Sequence, residues 1–250
     1  MLTQESESSD ESSDDEDEEE YTLKMALLNP RSAKKFVRGK DDRLSTLIWR
    51  NELDVLLLTE TWLSEESQDA FESILPPNYR FLSNPRPDGQ GGGVAIVYSN
   101  ALRCEQVEFD LNLQCEYVAA SFSYSRSLEP ILIISIYHPP SASDTEFLKE
   151  LKSILQEALA RYRFVVIGGD FNIWFDQKDL NSTRRLRKLL EKNKIAQFVS
   201  QSTHKDGHIL DLVIANDKVK IRRLSVRSNS FSDHKTVFFT ARYTPQYIRK

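Results

Sequence analysis

The sequence predicts an α/β fold from three observations. Short, β-branched apolar runs recur along the chain, a capped amphipathic helix separates two of them, and the resulting strand, helix, strand order implies layered sheets and helices. The clearest run is Phe164 to Ile167, within FVVIGGDFNIW, which reads as a buried strand ended by Gly168-Gly169. The helix before it opens on Ser143 and Glu146, an S-x-x-E capping box. Phe147, Leu151, Ile154, Leu155 and Ala158 then repeat at helical spacing and form its apolar stripe.

Taken in order, Leu23 to Leu28 reads as a first strand, and Asn29 lies at its end because Pro30 cannot continue a central strand. Asp41 and Asp42 open a helical pattern with Leu44, Leu47 and Ile48 on one face. Asp54 to Thr59 is a second buried strand that stops at Glu60-Thr61-Trp62. Four of the eight glycines fall at Gly89, Gly91, Gly92 and Gly93. They make a turn and no phosphate-binding P-loop, since no Lys-Ser/Thr pair follows and the next segment, Val94 to Tyr98, is a strand. Further strands are expected at Val107 to Phe109, Glu116 to Tyr124 and Pro130 to Tyr137, the last ended by Pro139-Pro140. A helix from about Ser182 to Lys194 buries Leu186, Leu189 and Leu190. Its other face carries Arg184, Arg185, Arg187, Lys188, Lys192 and Lys194, which suits either a phosphate backbone or solvent. Two more strands are read at Ile209 to Ile214 and Lys235 to Ala241, with a hairpin near Lys218 to Arg227.

Charge divides the chain into two segments. Residues 1 to 20 hold eleven of the 38 acids and no Lys or Arg, so residues 21 to 250 carry 27 acids against 33 bases, a balance of +6. The acidic start has no apolar residue after Leu2 and is expected to be a disordered tail, with the folded domain spanning 21 to 250. A positive body is compatible with a polyanionic partner, and the tail with masking that partner's groove or contacting a basic protein. Two cysteines, Cys104 and Cys115, make no disulfide framework. With no signal peptide they indicate a reducing, intracellular setting. No apolar run approaches the ~20 residues of a membrane span. The sequence sets no oligomeric state.

Polar residues flank the strands. Asp170 and Asn172 stand two apart, so a continuing extended backbone would aim both at one face, although the pair equally suits an Asx turn. Asn29, Glu60, Tyr137, Asp211, Asp233 and His234 also lie at strand ends, where stacked sheets bring groups to one edge. Oxygen donors without a Cys or His cluster suit a hard cation such as Mg²⁺, and a neighbouring histidine suits phosphate chemistry.

The ordered set LLNPRS, LLLTETW, IYHPP, GGDFN, STHKDGHILDLVI and FSDH resembles the exonuclease-endonuclease-phosphatase superfamily. Within it the similarity is to the apurinic-like endonuclease domain of LINE-type (non-LTR) retrotransposons, from about Leu23 to Tyr243. The resemblance implies a four-layer α/β sandwich, two mostly antiparallel sheets flanked by helices. It implies Mg²⁺, or Mn²⁺ in its place, held by Glu60 with Asn29 and Asp233 at the same edge. Asp170 would deprotonate the attacking water, which Asn172 aligns. His234 would contact the scissile phosphate, with Asp211 fixing its tautomer and Tyr137 hydrogen-bonding the phosphate. Thr203 and Arg31 would contact DNA. The expected reaction nicks DNA to leave a 3′-hydroxyl and a 5′-phosphate, and a nuclear workplace follows from that reading. With the sequence ending at Lys250, no reverse transcriptase is expected, as for an excised domain, a truncated element or a derived host gene. Trp174 stands where many relatives carry a polar residue.

Overall fold

The computed structural model describes residues 19–39, 41–86, 91–111, 113–126 and 128–248. Residues 1–18 of the acidic tail, and Gly89 of the glycine-rich turn, lie outside them. Twelve strands form two six-stranded sheets among the described residues. The first runs in the order β11 (Lys220–Arg227), β12 (Thr236–Tyr243), β1 (Tyr21–Leu28), β2 (Val55–Leu58), β4 (Val94–Ser99), β3 (Tyr79–Asn84). The second runs β5 (Arg103–Val107), β6 (Glu116–Ser123), β7 (Ile131–Tyr137), β8 (Phe164–Asp170), β10 (Asp211–Asn216), β9 (Ile195–Gln197).

Only β1–β2 and β7–β8 are parallel, and each of these pairs is joined through helices. A parallel connection must return the chain to its starting edge, which a helical crossover does. Helices α1 (Lys34–Gly39) and α2 (Arg43–Arg50) make the first crossover, and α4 (Asp144–Arg161) the second. Strands β2, β7, β8 and β10 are buried at every position, which explains their unbroken apolar runs.

The sheets pack face to face. Leu27 and Leu57 meet Gly168 there: a Cβ on Gly168 would lie 2.5 Å from Leu57 Cδ1 and 3.8 Å from Leu27 Cδ2. The alternate residues Ala26, Leu28, Leu56 and Leu58 face outward under Phe36 of α1, Leu44 and Ile48 of α2, and Phe71 of α3 (Gln68–Glu72). Phe147, Leu151, Ile154 and Leu155 of α4, with Leu186 and Leu190 of α5 (Asn181–Lys192), cover the second sheet. The result is the expected four-layer α/β sandwich. No helix among the described residues is long and apolar enough to cross a membrane.

Several local readings change. The strand expected at Val107 to Phe109 instead runs Arg103–Val107, paired with β6. Lys218 to Arg227 supplies only the first arm of the expected hairpin: it contributes β11, an edge strand paired antiparallel with the next strand, β12, and bulged between Arg222 and Ser225. In α5, Leu189 is only partly buried and Thr183 joins the buried face. Two of that helix's basic side chains turn to the protein, Arg187 Nη2 donating to Phe175 O at 2.9 Å and Arg185 Nη1 to Thr145 Oγ1 at 2.7 Å. Ser143 caps α4 by accepting from Glu146 N at 3.5 Å, while Glu146 pairs with Lys149 rather than reaching back.

Candidate active site

Strand register assembles one edge. Tyr137 pairs with Asp170, and Asp170 with Asp211, so the three side chains stand on neighbouring strands at one end of the second sheet. Gly169 makes that register tight: a Cβ there would fall 1.8 Å from Ile136 O, so only glycine lets β8 lie this close to β7. The first sheet presents Asn29 from the end of β1 and Glu60 from the end of β2. Asn29 Nδ2 joins the two sheets, donating to Glu60 Oε1 at 2.9 Å and to Asp170 Oδ2 at 2.9 Å.

His234 completes the group from the loop before β12. Its Nδ1 lies 2.8 Å from Asp211 Oδ2, and its Nε2 lies 3.8 Å from Asp170 Oδ2 and 3.5 Å from Asn29 Nδ2. Asp170, Asp211 and Asn29 are inaccessible to solvent and His234 is nearly so, while Glu60 is half-exposed. Burial, then the Asp211 charge, raise the Asp170 carboxyl above the ordinary range. Burial pushes the His234 imidazole down, but Asp211, Asp170 and Asp233 outweigh it and lift its pKa to about 9. Burial and the Glu60 and Asp170 charges hold the Tyr137 phenol well above its usual range.

The Glu60 backbone is held in a left-handed conformation, φ 44°, followed by Trp62 at φ 54°. Such residues cost on the order of 1–3 kcal/mol each and persist only where the surroundings hold them. Here Ser32 N donates to Glu60 O (2.8 Å), Ala33 N to Thr61 O (2.7 Å), Thr61 N to Gly93 O (3.1 Å) and Trp62 N to Gly92 O (2.9 Å). The glycine turn is therefore half of a clamp on Glu60, a role its sequence did not disclose. Glu116 in turn holds the turn by accepting from Gly93 N.

Three predicted site residues stand differently from expectation. Asn29 does not offer its oxygen to the Glu60 side: Oδ1 accepts from Arg31 N at 2.9 Å, and the amide faces the carboxylates as a donor. Asn172 does not extend the strand, because its φ is 46° and its N–H donates to Asp170 Oδ1 at 3.0 Å, the Asx turn; its side chain donates to His138 O at 2.8 Å. Thr203 has no accessible surface to present to DNA, and its Oγ1 accepts from the N–H groups of Leu210 and Asp211, both at 3.0 Å. It positions the start of β10 instead. Asp233 faces Arg31 Nη1 at 2.7 Å and His204 Nε2 at 3.4 Å. The Arg31 side chain is more than half exposed.

Three further residues of the site escaped the sequence reading. Ser232 Oγ accepts from His234 N at 3.1 Å and donates to Asn29 O at 2.7 Å, and Asn229 Nδ2 donates to His234 O at 2.8 Å. The His204 ring stands edge-on to His234, centroids 4.8 Å apart. The quoted segments STH and FSDH contain two of these, but only folding brings them together.

The donor set fits a divalent cation. Asp211 Oδ1 and Asp233 Oδ1 are buried without a hydrogen-bond partner, and Asp170, Asp211, Asp233, His204 and His234 fall into two overlapping clusters around His234. Crowded carboxylates with unused oxygens attract a hard cation. The family model for the endonuclease/exonuclease/phosphatase family matches residues 31–234.

The chain belongs to the endonuclease/exonuclease/phosphatase family. The family's solved structures share its fold at low identity. The endonuclease domain of TRAS1, a telomere-specific non-LTR retrotransposon, superposes with a TM-score of 0.70 at 16% identity, covering 88% of this chain and 98% of that one. The AP endonuclease LMAP from Leishmania major gives 0.71 at 13% identity, covering 89% and 88%. A mannosyl-6-phosphatase from Bacteroides thetaiotaomicron gives 0.64 at 15% identity, covering 88% and 99%. No curated protein matches the chain in sequence. Family membership makes metal-dependent phosphoester hydrolysis the plausible chemistry, and the similar structures include enzymes of both nucleic acids and sugar phosphates.

Proposed function

We propose that the protein is a Mg²⁺-dependent DNA nicking endonuclease of the retrotransposon type, working in the nucleus. The observation that carries this is the buried network Glu60–Asn29–Asp170 with Asp211–His234, drawn from both sheets to one edge. Burial raises the proton affinity of Asp170, which suits a general base for the attacking water. The Asn29 amide and the Asn172 N–H hold its two oxygens in place. Attack on phosphorus breaks the P–O3′ bond and leaves a 3′-hydroxyl and a 5′-phosphate. His234, kept cationic by Asp211, turns Nε2 toward the reacting phosphate and stabilises its developing negative charge. Tyr137 stays a neutral donor at working pH and serves the same oxygens.

Mg²⁺, or Mn²⁺ in its place, would supply a Lewis acid for the phosphoryl oxygens. Glu60 would hold it, because a partly exposed carboxylate admits an ion that keeps part of its water shell. Arg31 reaches the DNA backbone from the rim, and the +6 balance of residues 21 to 250 favours a polyanion.

The test is relaxation of supercoiled plasmid by the purified protein with Mg²⁺ and with EDTA, beside Asp170→Ala. Nicking that needs both metal and Asp170, with ends a polymerase extends directly, is expected. A folded protein that leaves the plasmid intact but releases phosphate from a sugar phosphate would replace the DNA reading with a phosphatase one. DNA binding without any turnover would make it a binding module.

A further inference from the structure

Trp174 is an exposed aromatic side chain on an unusually well-supported piece of backbone. It is 46% accessible, yet its carbonyl accepts from Thr183 Oγ1 at 2.9 Å and from Gln177 N at 2.9 Å. One face of the indole lies on the His208 ring, centroids 4.0 Å apart and planes 12° from parallel. His208 is itself fixed, its Nδ1 3.0 Å from Asp176 Oδ2, while Asp176 Oδ1 accepts from Ile209 N at 2.9 Å and Gln177 Nε2 donates to Oδ2 at 2.9 Å. The exposure of Trp174 therefore belongs to the face and edge turned away from His208. A rigid, half-desolvated ring has little side-chain entropy left to lose when something stacks on it.

Its position is as informative as its support. Trp174 follows Asp170 by four residues, His208 precedes Asp211 by three, and Asp170 and Asp211 are register partners. The His208 carbonyl accepts from Thr203 N at 2.9 Å, and Thr203 Oγ1 holds the Asp211 N–H. The ring pair is thus built into the same strand edge as the reacting groups. Trp62, 38% exposed and two residues beyond Glu60, stands at the matching exit of the first sheet.

We propose that the free face of Trp174 is a stacking subsite for a nucleobase of the bound strand, unpaired or partly unstacked beside the scissile phosphate. The inference rests on the DNA reading of the active site. Phosphate contacts alone bind any strand, whereas an aromatic platform adds affinity only where a base is present and tolerates every sequence.

The experiment compares two labelled single strands of equal length and phosphate count, a thymidine oligomer and an oligomer of abasic tetrahydrofuran spacers, by fluorescence anisotropy with the full chain in EDTA. Wild type is expected to bind the thymidine oligomer about ten-fold more tightly. Trp174→Ala should lose that preference without weakening spacer binding, and Trp174→Phe should keep most of it. Tryptophan fluorescence gives a second readout that needs no Ala variant: quenching by the thymidine oligomer in wild type should be largely missing in Trp174→Phe. Equal binding of both strands by wild type, or a preference that survives in Trp174→Ala, overturns the stacking subsite and leaves the DNA reading intact. Binding of neither strand removes both.

Discussion

Replacing Asp211 by Asn keeps the shape of the side chain and removes the charge that faces His234 at 2.8 Å. In the native protein the imidazole pKa stands at about 9 against an ordinary 6.5, a difference worth about 3 kcal/mol in favour of the imidazolium. Burial is the strongest single influence and opposes that charge; Asp211, through its charge and its hydrogen bond, is the main reason it is overcome. With Asp211→Asn, only Asp170 and Asp233 oppose burial, and His234 should become neutral at pH 7.5. The assay is a nitrogen-15 NMR titration of the four histidines in metal-free protein. Wild type should keep one imidazolium to above pH 8, and the variant should lack it. The stability consequence has a definite sign: a raised histidine pKa stabilises fully below 6.5 and loses that contribution as pH rises through about 9. The gap in unfolding free energy between wild type and variant should therefore be widest near pH 6 and narrow by pH 9.5. A wild-type His234 that titrates at 6.5 or below would refute the reasoning, as would a variant that titrates where wild type does.

Three other outcomes follow from the geometry. Gly169→Ala, whose Cβ meets a strand carbonyl at 1.8 Å, should cost about 3 kcal/mol, whereas Gly168→Ala meets only the end of the flexible Leu57 side chain and should cost about 1 kcal/mol; similar urea midpoints for the two would contradict the β7–β8 register. Asp176→Ala should cost about 1–2 kcal/mol by freeing Ile209 N and His208. Burial pushes the Asp176 carboxyl up, but its hydrogen bonds hold it at about 2, so that stabilisation is present above the ordinary 3.8 and lost as pH falls through about 2. The two proteins should thus differ fully at pH 5 and converge between pH 4 and pH 2 in urea titrations. Glu20, the last acid of the N-terminal segment, pairs with Lys220 Nζ of β11 at 3.6 Å and Arg242 Nη1 of β12 at 3.3 Å. Removing residues 1–18 should tighten DNA binding at low salt and leave it nearly unchanged at high salt, measured by anisotropy.

Much of the fold is legible because burial writes itself into local pattern. The runs at β2, β7, β8 and β10 are continuous because each of those strands is covered on both faces, and the α4 stripe repeats at helical spacing because one face meets a sheet. Residues that interrupt such runs at their ends, Asn29, Glu60, Asp170 and Asp211, are legible for the same reason. Short or half-exposed elements such as β9 and β11 leave no comparable mark, since the single buried side chain of each does not make a period.

The sequence by itself thus determined the layered α/β class, the strand ends at which polar groups gather, and, through its ordered motifs, the resemblance to a phosphoester-cleaving family. Only the tertiary structure decided how those groups meet. Asn29 and Asp170 are 141 residues apart, and Asn29 and His234 are 205 apart, so no local propensity sets their contact. Strand register and inter-sheet packing do, and they turned Asn29 into a donor, closed Thr203 away from solvent, bent Asn172 into an Asx turn and clamped Glu60 beneath a glycine turn. Hydrophobic periodicity records which face a residue buries; the partner it finds there depends on the position of every other strand.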